Sequence, residues 1–234
     1  MPIFEVLGTD MHNHLLNGVD DGSKSIEESL SCIRTMSQLG YRRMYITPHF
    51  QPSHYANREE DIVSRYKLFK EQVEAEGIDI ELVDVAGEYR IEDAFVARLG
   101  EGGFLKIGGH NLLVELSLRQ PRDDVKETIF ELQQMGYEVI LAHPERYPYL
   151  GAKSKLLEEL KDSGVYFQVN ILSLSGFYGM MPSRVGYQLV ERGWVEYLGT
   201  DMHNAIYADA LKKASHSIKI QKILEHYPFK NSEL

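Results

Sequence analysis

The chain has 234 residues, with 25 Lys and Arg against 35 Asp and Glu, a formal net charge of −10. Hydrophobic residues make up 43% and charged residues 26%, a globular composition that excludes intrinsic disorder and collagen-like order. The acidic balance disfavours a nucleic-acid partner, because binding a phosphate backbone relies on clustered Lys and Arg. One cysteine, Cys32, excludes an intrachain disulfide and fits a reducing compartment. No run approaches the roughly 18 apolar residues of a membrane span, and the first residues lack the basic and apolar regions of a signal peptide. A cytoplasmic protein is therefore expected.

Short apolar runs alternate with helical patterns along the chain, which predicts βαβ units and a parallel sheet. The first run, 6–11, leads into a helix over 26–39 opened by Ser25 and Glu28 at capping-box spacing. Strand 44–47 precedes helix 58–75, and strand 80–86 precedes a short helix over 92–99. Strand 112–114 precedes helix 122–135, and strand 139–142 precedes helix 154–162. Strand 165–169 precedes helix 182–192, and strand 195–198 precedes a last helix over 208–225. These seven units, without a linker or repeat, fit one α/β barrel of about 250 residues as a single domain over 1–234.

The chemistry-bearing residues gather at one end of these strands. His12 and His14 close the first, with Asp20 and Asp21 in the loop beyond; His49, Glu88, Glu115 and His143 close the next four. Asp201 and His203 close the last. In a parallel barrel these carboxyl ends share the face that carries the chemistry. Residues i and i+2 of a strand point the same way, so His12/His14 and Asp201/His203 form two potential pincers. Imidazoles and carboxylates ligate Zn, Mn and Fe. Nine candidates, counting one of Asp20 and Asp21, exceed the needs of one ion, so two or three divalent ions are expected, an arrangement typical of phosphate-ester hydrolysis.

Other residues carry weaker signals. A lone His-x-His at a strand end is more often structural; the joint pattern, with five of nine histidines at strand ends, argues for metal. Arg146 stands three residues past His143, where a guanidinium fork matches phosphoryl oxygens, and is expected to be catalytic. Arg90, Arg119 and His54 are lesser candidates for substrate contact. Asp10 reads as a ligand or as support behind the first pincer. Asn13, Asn170 and Asn204 read as turn residues or as groups that orient ligands. His110, His216 and His226 fall away from the predicted face. A thiol phosphatase route is excluded, because the residue six after Cys32 is Gln38 rather than an arginine.

The stretches His12-Asn13-His14, Val19-Asp20-Asp21-Gly22, Thr47-Pro48-His49, Gly87-Glu88, Val114-Glu115, Ala142-His143-Pro144-Glu145-Arg146-Tyr147 and Thr200-Asp201-Met202-His203-Asn204 resemble the polymerase-and-histidinol-phosphatase (PHP) superfamily. Within it they are similar to the bacterial manganese-dependent tyrosine-protein phosphatases of capsule and exopolysaccharide operons. The resemblance implies a distorted TIM-like barrel that hydrolyses phosphotyrosine by metal-activated hydroxide. It implies Mn2+, with Fe or Zn as alternatives, and a tyrosine-phosphorylated partner such as the tail of a bacterial tyrosine kinase. It places His12, His14, Glu88 and Asp201 around one ion, and Glu88, Glu115 and His143 around a second. Asp21, His49 and His203 would surround the third. The departure is at 205–208, Ala-Ile-Tyr-Ala, where family members often carry a second arginine. The rival readings are a small-molecule phosphomonoesterase, such as a histidinol phosphatase, and a non-catalytic metal-binding regulatory domain.

Overall fold

The computed structural model describes residues 2–234. The elements, in order, are β1 (Thr9–Asp10), α1 (Ile26–Gln38), β2 (Arg43–Ile46), β3 (His49–Phe50), α2 (Glu59–Ala75), β4 (Glu81–Val85), β5 (Glu88–Arg90) and α3 (Asp93–Ala97). They continue with β6 (Asn111–Glu115), α4 (Val125–Gln134), β7 (Glu138–Ala142), α5 (Lys155–Asp162), β8 (Tyr166–Asn170), α6 (Ile171–Leu174), α7 (Met180–Glu191), β9 (Tyr197–Gly199), α8 (Ala205–Ala214) and α9 (Ile218–His226).

Every ladder between named strands is parallel. They form two sheets, one in the order β1-β2-β4 and one in the order β3-β5-β6-β7-β8-β9. Two of the expected strands are interrupted, which is why nine appear where seven are predicted. The break between β2 and β3 falls at Pro48, which has no N–H to give a ladder. The break between β4 and β5 falls at Gly87, under the stacked rings of Phe50 and Tyr89. A Cβ on Gly87 would lie 2.6 Å from the Phe50 ring, so only glycine lets the stack close over the backbone.

The sheets meet at two further places. Asn13 pairs with Met202 in an isolated parallel bridge. On the opposite face of that edge, Asn231 donates from Nδ2 to Thr9 O (3.0 Å) and Leu198 O (2.7 Å), and its Oδ1 accepts from Leu198 N (3.0 Å). Asn231 is fully buried, so one amide joins β1 to β9.

Strand residues alternate between two cores. Leu112 and Val114 pack outward with the helices, while Leu113 turns inward to Met11, Tyr45, Ala86, Ile140, Ala142 and Tyr197. Burial on both faces explains why these strands read as continuous apolar runs. The inner set draws on both sheets, so the sheets enclose one common interior.

Three details of the elements differ from expectation. Helix α1 starts as predicted, with Ser25 Oγ accepting from Glu28 N, although the Glu28 carboxylate takes the Lys24 N–H rather than that of Ser25. The predicted helix 208–225 is two helices, because Ser217 caps a new start by accepting from Ile220 N. The predicted first strand is shorter, since Ile3–Val6 forms a 3-10 turn.

Candidate metal centre

Strand ends place each candidate ligand. His12 and His14 follow β1, and the segment after β9 is zipped onto them: Asp201 N donates to His12 O (2.8 Å) and His14 N donates to Met202 O (2.8 Å). The two pincers therefore lie side by side. His49 opens β3, Glu88 opens β5, Glu115 closes β6 and His143 follows β7. His143 and Asp201 have φ of 34° and 51°, the positive-φ residues other than glycine among those described. Left-handed backbone at bulky residues costs free energy and gathers where a site is held in a set geometry.

The structure brings all nine expected ligands into four overlapping groups. These are His14/Asp21/His49/His203, His12/Glu88/His143, His12/His14/Asp201 and His49/Glu88/Glu115, with donor atoms in each group within 4.8 Å of one another. Glu88 lies at the middle. Its Oε2 stands 3.2 Å from His12 Nε2, 3.3 Å from His14 Nε2 and 3.0 Å from His49 Nδ1, and its Oε1 stands 2.9 Å from His143 Nε2. Asp21 Oδ1 lies 3.4 Å from His49 Nε2 and 3.6 Å from His203 Nε2. The grouping differs from the expected one in detail: His12 shares a group with His143, and His49 approaches Glu88 and Glu115 as well as Asp21.

Neighbouring polar groups turn the imidazoles toward the centre. His12 Nδ1 bonds Gln168 Oε1 (2.8 Å) and His14 Nδ1 bonds Asp20 Oδ2 (3.0 Å). Each ring is thereby held with its Nε2 toward the cluster, the support that ligating histidines commonly have. Gln168 in turn donates to Asn170, which donates to Asp201 Oδ2 (2.7 Å). Gly199 makes room for this chain, since a Cβ there would meet Gln168 Nε2 at 2.6 Å.

Arg146 Nη1 also donates to Asp201 Oδ2 (2.8 Å), and its guanidinium lies 4.2 Å from the Tyr178 ring centre. Asp201 Oδ1 is thus left to His12, His14 and His203.

The electrostatics call for cations. Burial would raise Glu88, but the His12 and His49 charges outweigh it and hold the carboxyl well below the usual carboxylate range. Burial would lower His12, but Glu88 wins and raises it to about 9. Burial and the Glu88 charge push Glu115 up to about 7, while burial drives His143 down to about 4. The neighbouring carboxylates of Glu88 and Glu115 oppose each other's ionisation, and an added positive charge would relieve that conflict. Glu88 Oε2, His49 Nδ1 and His143 Nδ1 are buried without a hydrogen-bond partner. Orphaned carboxylate and imidazole atoms in an N/O donor set fit divalent metal ions.

The other candidates fall into place. Asp10 accepts from Asn13 Nδ2 and from Thr200 N and Oγ1, so it ties strand ends together and faces no ligand group. Asn204 caps α8 by accepting from Ile206 N. Arg90 is engaged by Glu115 Oε2 (2.9 Å) and Leu116 O (2.8 Å). His54 lines the cleft, while His110, His216 and His226 are exposed outside the ligand groups. Cys32 is buried within α1, and burial pushes its thiol up to about 12, far from a thiolate nucleophile.

Sequence reasoning missed three tyrosines: Tyr55 stacks on His49 (5.7 Å), Tyr207 on His203 (4.9 Å), and Tyr178 OH donates to Asp201 Oδ2 (3.3 Å). Tyr207 occupies the 205–208 stretch that lacks an arginine. The cleft above the ligands has a volume of about 580 Å³ and is lined by Tyr55, Arg119, Arg146 and Tyr207, among others.

Residues 8–227 match the profile of the family described as capsular polysaccharide synthesis, CpsB/CapC. The chain belongs to the CpsB/CapC family. The tyrosine-protein phosphatase CpsB of Streptococcus pneumoniae is 29% identical to it over 202 residues, covering 83% of this chain and 82% of CpsB. The tyrosine-protein phosphatase YwqE of Bacillus subtilis is 25% identical over 196 residues, covering 83% of this chain and 77% of YwqE. A crystal structure from a study of YwqE and CpsB, described as metal-dependent tyrosine phosphatases, shares the fold with a TM-score of 0.78. It is 22% identical, over 94% of this chain and 96% of that one. This CpsB/CapC chain has no helix long and apolar enough to cross a membrane among its described residues.

Proposed function

We propose that this chain is a metal-dependent protein-tyrosine phosphatase. The observation that carries the reading is the junction of four ligand groups with Arg146 at the floor of one cleft. Family membership and the named activity of its relatives support it. In this reading residues 1–234 act as one domain, and the two sheets form a distorted TIM-like barrel around their shared interior.

His12, His14, Asp21, His49, Glu88, Glu115, His143, Asp201 and His203 would hold two or three divalent ions, with Mn2+ the first choice and Fe or Zn the alternatives. When bound, the ions would supply activated water and neutralise phosphoryl charge. The chain's own groups do the rest. Arg146 spends Nη1 on Asp201, which aims the guanidinium and leaves its other N–H donors for phosphoryl oxygens. The guanidinium carbon of Arg146 lies over the Tyr178 ring, a cation–π contact that helps to hold it in place. Tyr55 and Tyr207 give the cleft aromatic walls suited to a phenyl ring. The departing phenolate, with a pKa of about 10, needs less protonation than an alkoxide.

The partner is a tyrosine-phosphorylated protein, such as the tail of a bacterial tyrosine kinase in capsule or exopolysaccharide synthesis, met in the cytoplasm. The test is kcat/KM of metal-loaded protein on phosphotyrosine peptides and on histidinol phosphate, with metal content measured on the same sample. Preference for the peptides is expected. Preference for histidinol phosphate would assign the site to small phosphomonoesters instead.

A further inference from the structure

Four arginines line the cleft: Arg90, Arg119, Arg122 and Arg146. Three have occupied guanidinium groups. Arg90 holds Glu115 and Leu116 O, and Arg146 holds Asp201. Arg122 holds Asp93 (2.7 Å) and Asp124 (2.6 Å), which ties the loop before α4 to the start of α3. Arg119 differs: among the described residues its guanidinium has no ion pair and no hydrogen bond, and only its backbone N–H is engaged.

The turn that carries Arg119 is nevertheless fixed. Ser117 Oγ accepts from Arg119 N (3.2 Å) and Gln120 N (3.4 Å), and Tyr149 OH donates to Ser117 O (2.6 Å). Arg122 braces the same loop three residues on. A free cation is thus held on a braced turn at the rim of the cleft, in a chain of net charge −10. A cleft of about 580 Å³ accommodates more than one phosphorylated ring, so chain flanking that ring would reach the rim. A guanidinium fork pairs best with a carboxylate or phosphate.

We propose that Arg119 is a specificity residue that binds a carboxylate beside the phosphotyrosine of the substrate peptide. This rests on the phosphatase reading and adds a preference for acidic flanking residues. Arg146 and the ligand groups act on the phosphoryl end, and Arg119 reads the chain next to it.

The test uses metal-loaded protein and three fluorescent peptides of one sequence that carry a non-hydrolysable phosphonate analogue of phosphotyrosine, with Asp, Asn or Lys beside it. Binding is read by fluorescence anisotropy. Wild type is expected to bind the Asp peptide about three- to fivefold more tightly than the Asn peptide, the scale of a solvent-exposed ion pair. Arg119→Gln should collapse that ratio, and Arg119→Glu should reverse it toward the Lys peptide. Both changes sit on an exposed side chain, so folding is not at stake. If wild type binds all three peptides equally, or Arg119→Gln keeps the ratio, the inference is overturned and the phosphatase reading stands. If Arg119→Gln slows para-nitrophenyl phosphate as much as it weakens the Asp peptide, Arg119 is a phosphate ligand and the inference is again overturned. If wild type binds no phosphopeptide, the phosphatase reading falls and the inference falls with it.

Discussion

His12, Glu88 and His143 are almost completely buried, whereas the side chain of Asp21, at the far edge of the cluster, is 56% exposed. The inner three stand beside strands whose ladders fix their backbones, and Gln168 holds His12 from behind. The outer group, His14/Asp21/His49/His203, is completed by a residue on the loop between β1 and α1. An ion entering the inner groups meets donors already in place. An ion entering the outer group must order Asp21 and lose more to solvent competition. The difference predicts that ions held by this cluster would bind with unequal affinity, because the same residue types carry different backing.

The sharpest way to break this contrast is Glu88→Ala. Glu88 belongs to two of the four groups, so its loss is expected to remove more than one equivalent of metal and essentially all phosphatase activity. Ions that bind only the folded chain stabilise it by mass action. The melting temperature should therefore fall to that of chelator-treated wild type and no further. Metal counting by mass spectrometry with calorimetry decides; a full metal complement in this variant would remove the bridging role.

Arg146 is anchored to the inner half through Asp201. Loss of one preorganised charge-stabilising donor lowers rate by about 10²–10³. Arg146→Ala should lower kcat on that scale with metal content unchanged, read by steady-state kinetics beside metal analysis. Near-normal kcat would make Arg146 a structural partner of Asp201 alone.

Gln168→Ala and Asp20→Ala test the backing. Removing the hydrogen-bond partner of a ligating histidine commonly weakens metal affinity by about 10–100-fold. Competition with a fluorescent chelator should show that scale for both variants, with Gln168→Ala acting on the inner ions and Asp20→Ala reaching the outer one as well, because His14 belongs to the outer group and to the group with His12 and Asp201. Equal loss across all sites would erase the inner–outer distinction.

Asp21→Ala should release one ion and leave the inner ions bound. In wild type, stepwise chelator addition should likewise remove one equivalent before the others, followed by metal analysis after each step. Simultaneous loss would show a single cooperative site. At the bottom of the scale, Cys32→Ser should keep nearly full activity, because the thiol is buried in a helix outside the cleft. An inactive serine variant with its metals bound would bring the thiol back into the chemistry.

The strand-end ligands were legible because imidazoles and carboxylates at i and i+2 have few structural reasons to recur at the ends of apolar runs. The choice of Asp21 over Asp20 rested partly on family resemblance; in the structure Asp20 backs His14 while Asp21 faces His49 and His203. Gln168 and the three tyrosines were not legible. Gln168 sits inside an apolar strand pattern, the tyrosines lie in loop and helix-start segments that carry no ligand signal, and only the fold brings Gln168 to His12 across 156 positions. Pro48 announced one strand break, but the break at Gly87 depends on a Phe50–Tyr89 stack that no local pattern reveals. The split between α8 and α9 was written in the Ser217 cap and was overridden by continuous helical periodicity.

Asn231 carries a consequence for the order of assembly. Its bond to Thr9 O spans 222 positions, so the edges of β1 and β9 are joined by a residue made long after the first strand. Contacts of such long separation form late, after their loop-closure entropy has been met by other structure. During synthesis, His12 and His14 wait beside an unpaired strand edge until the segment with Asp201 and His203 arrives, and residue 231 then locks the seam. Metal capture by the complete ligand set would therefore wait for synthesis of the segment that carries Asp201 and His203, and a shorter nascent chain would offer an ion only fragments of its final coordination.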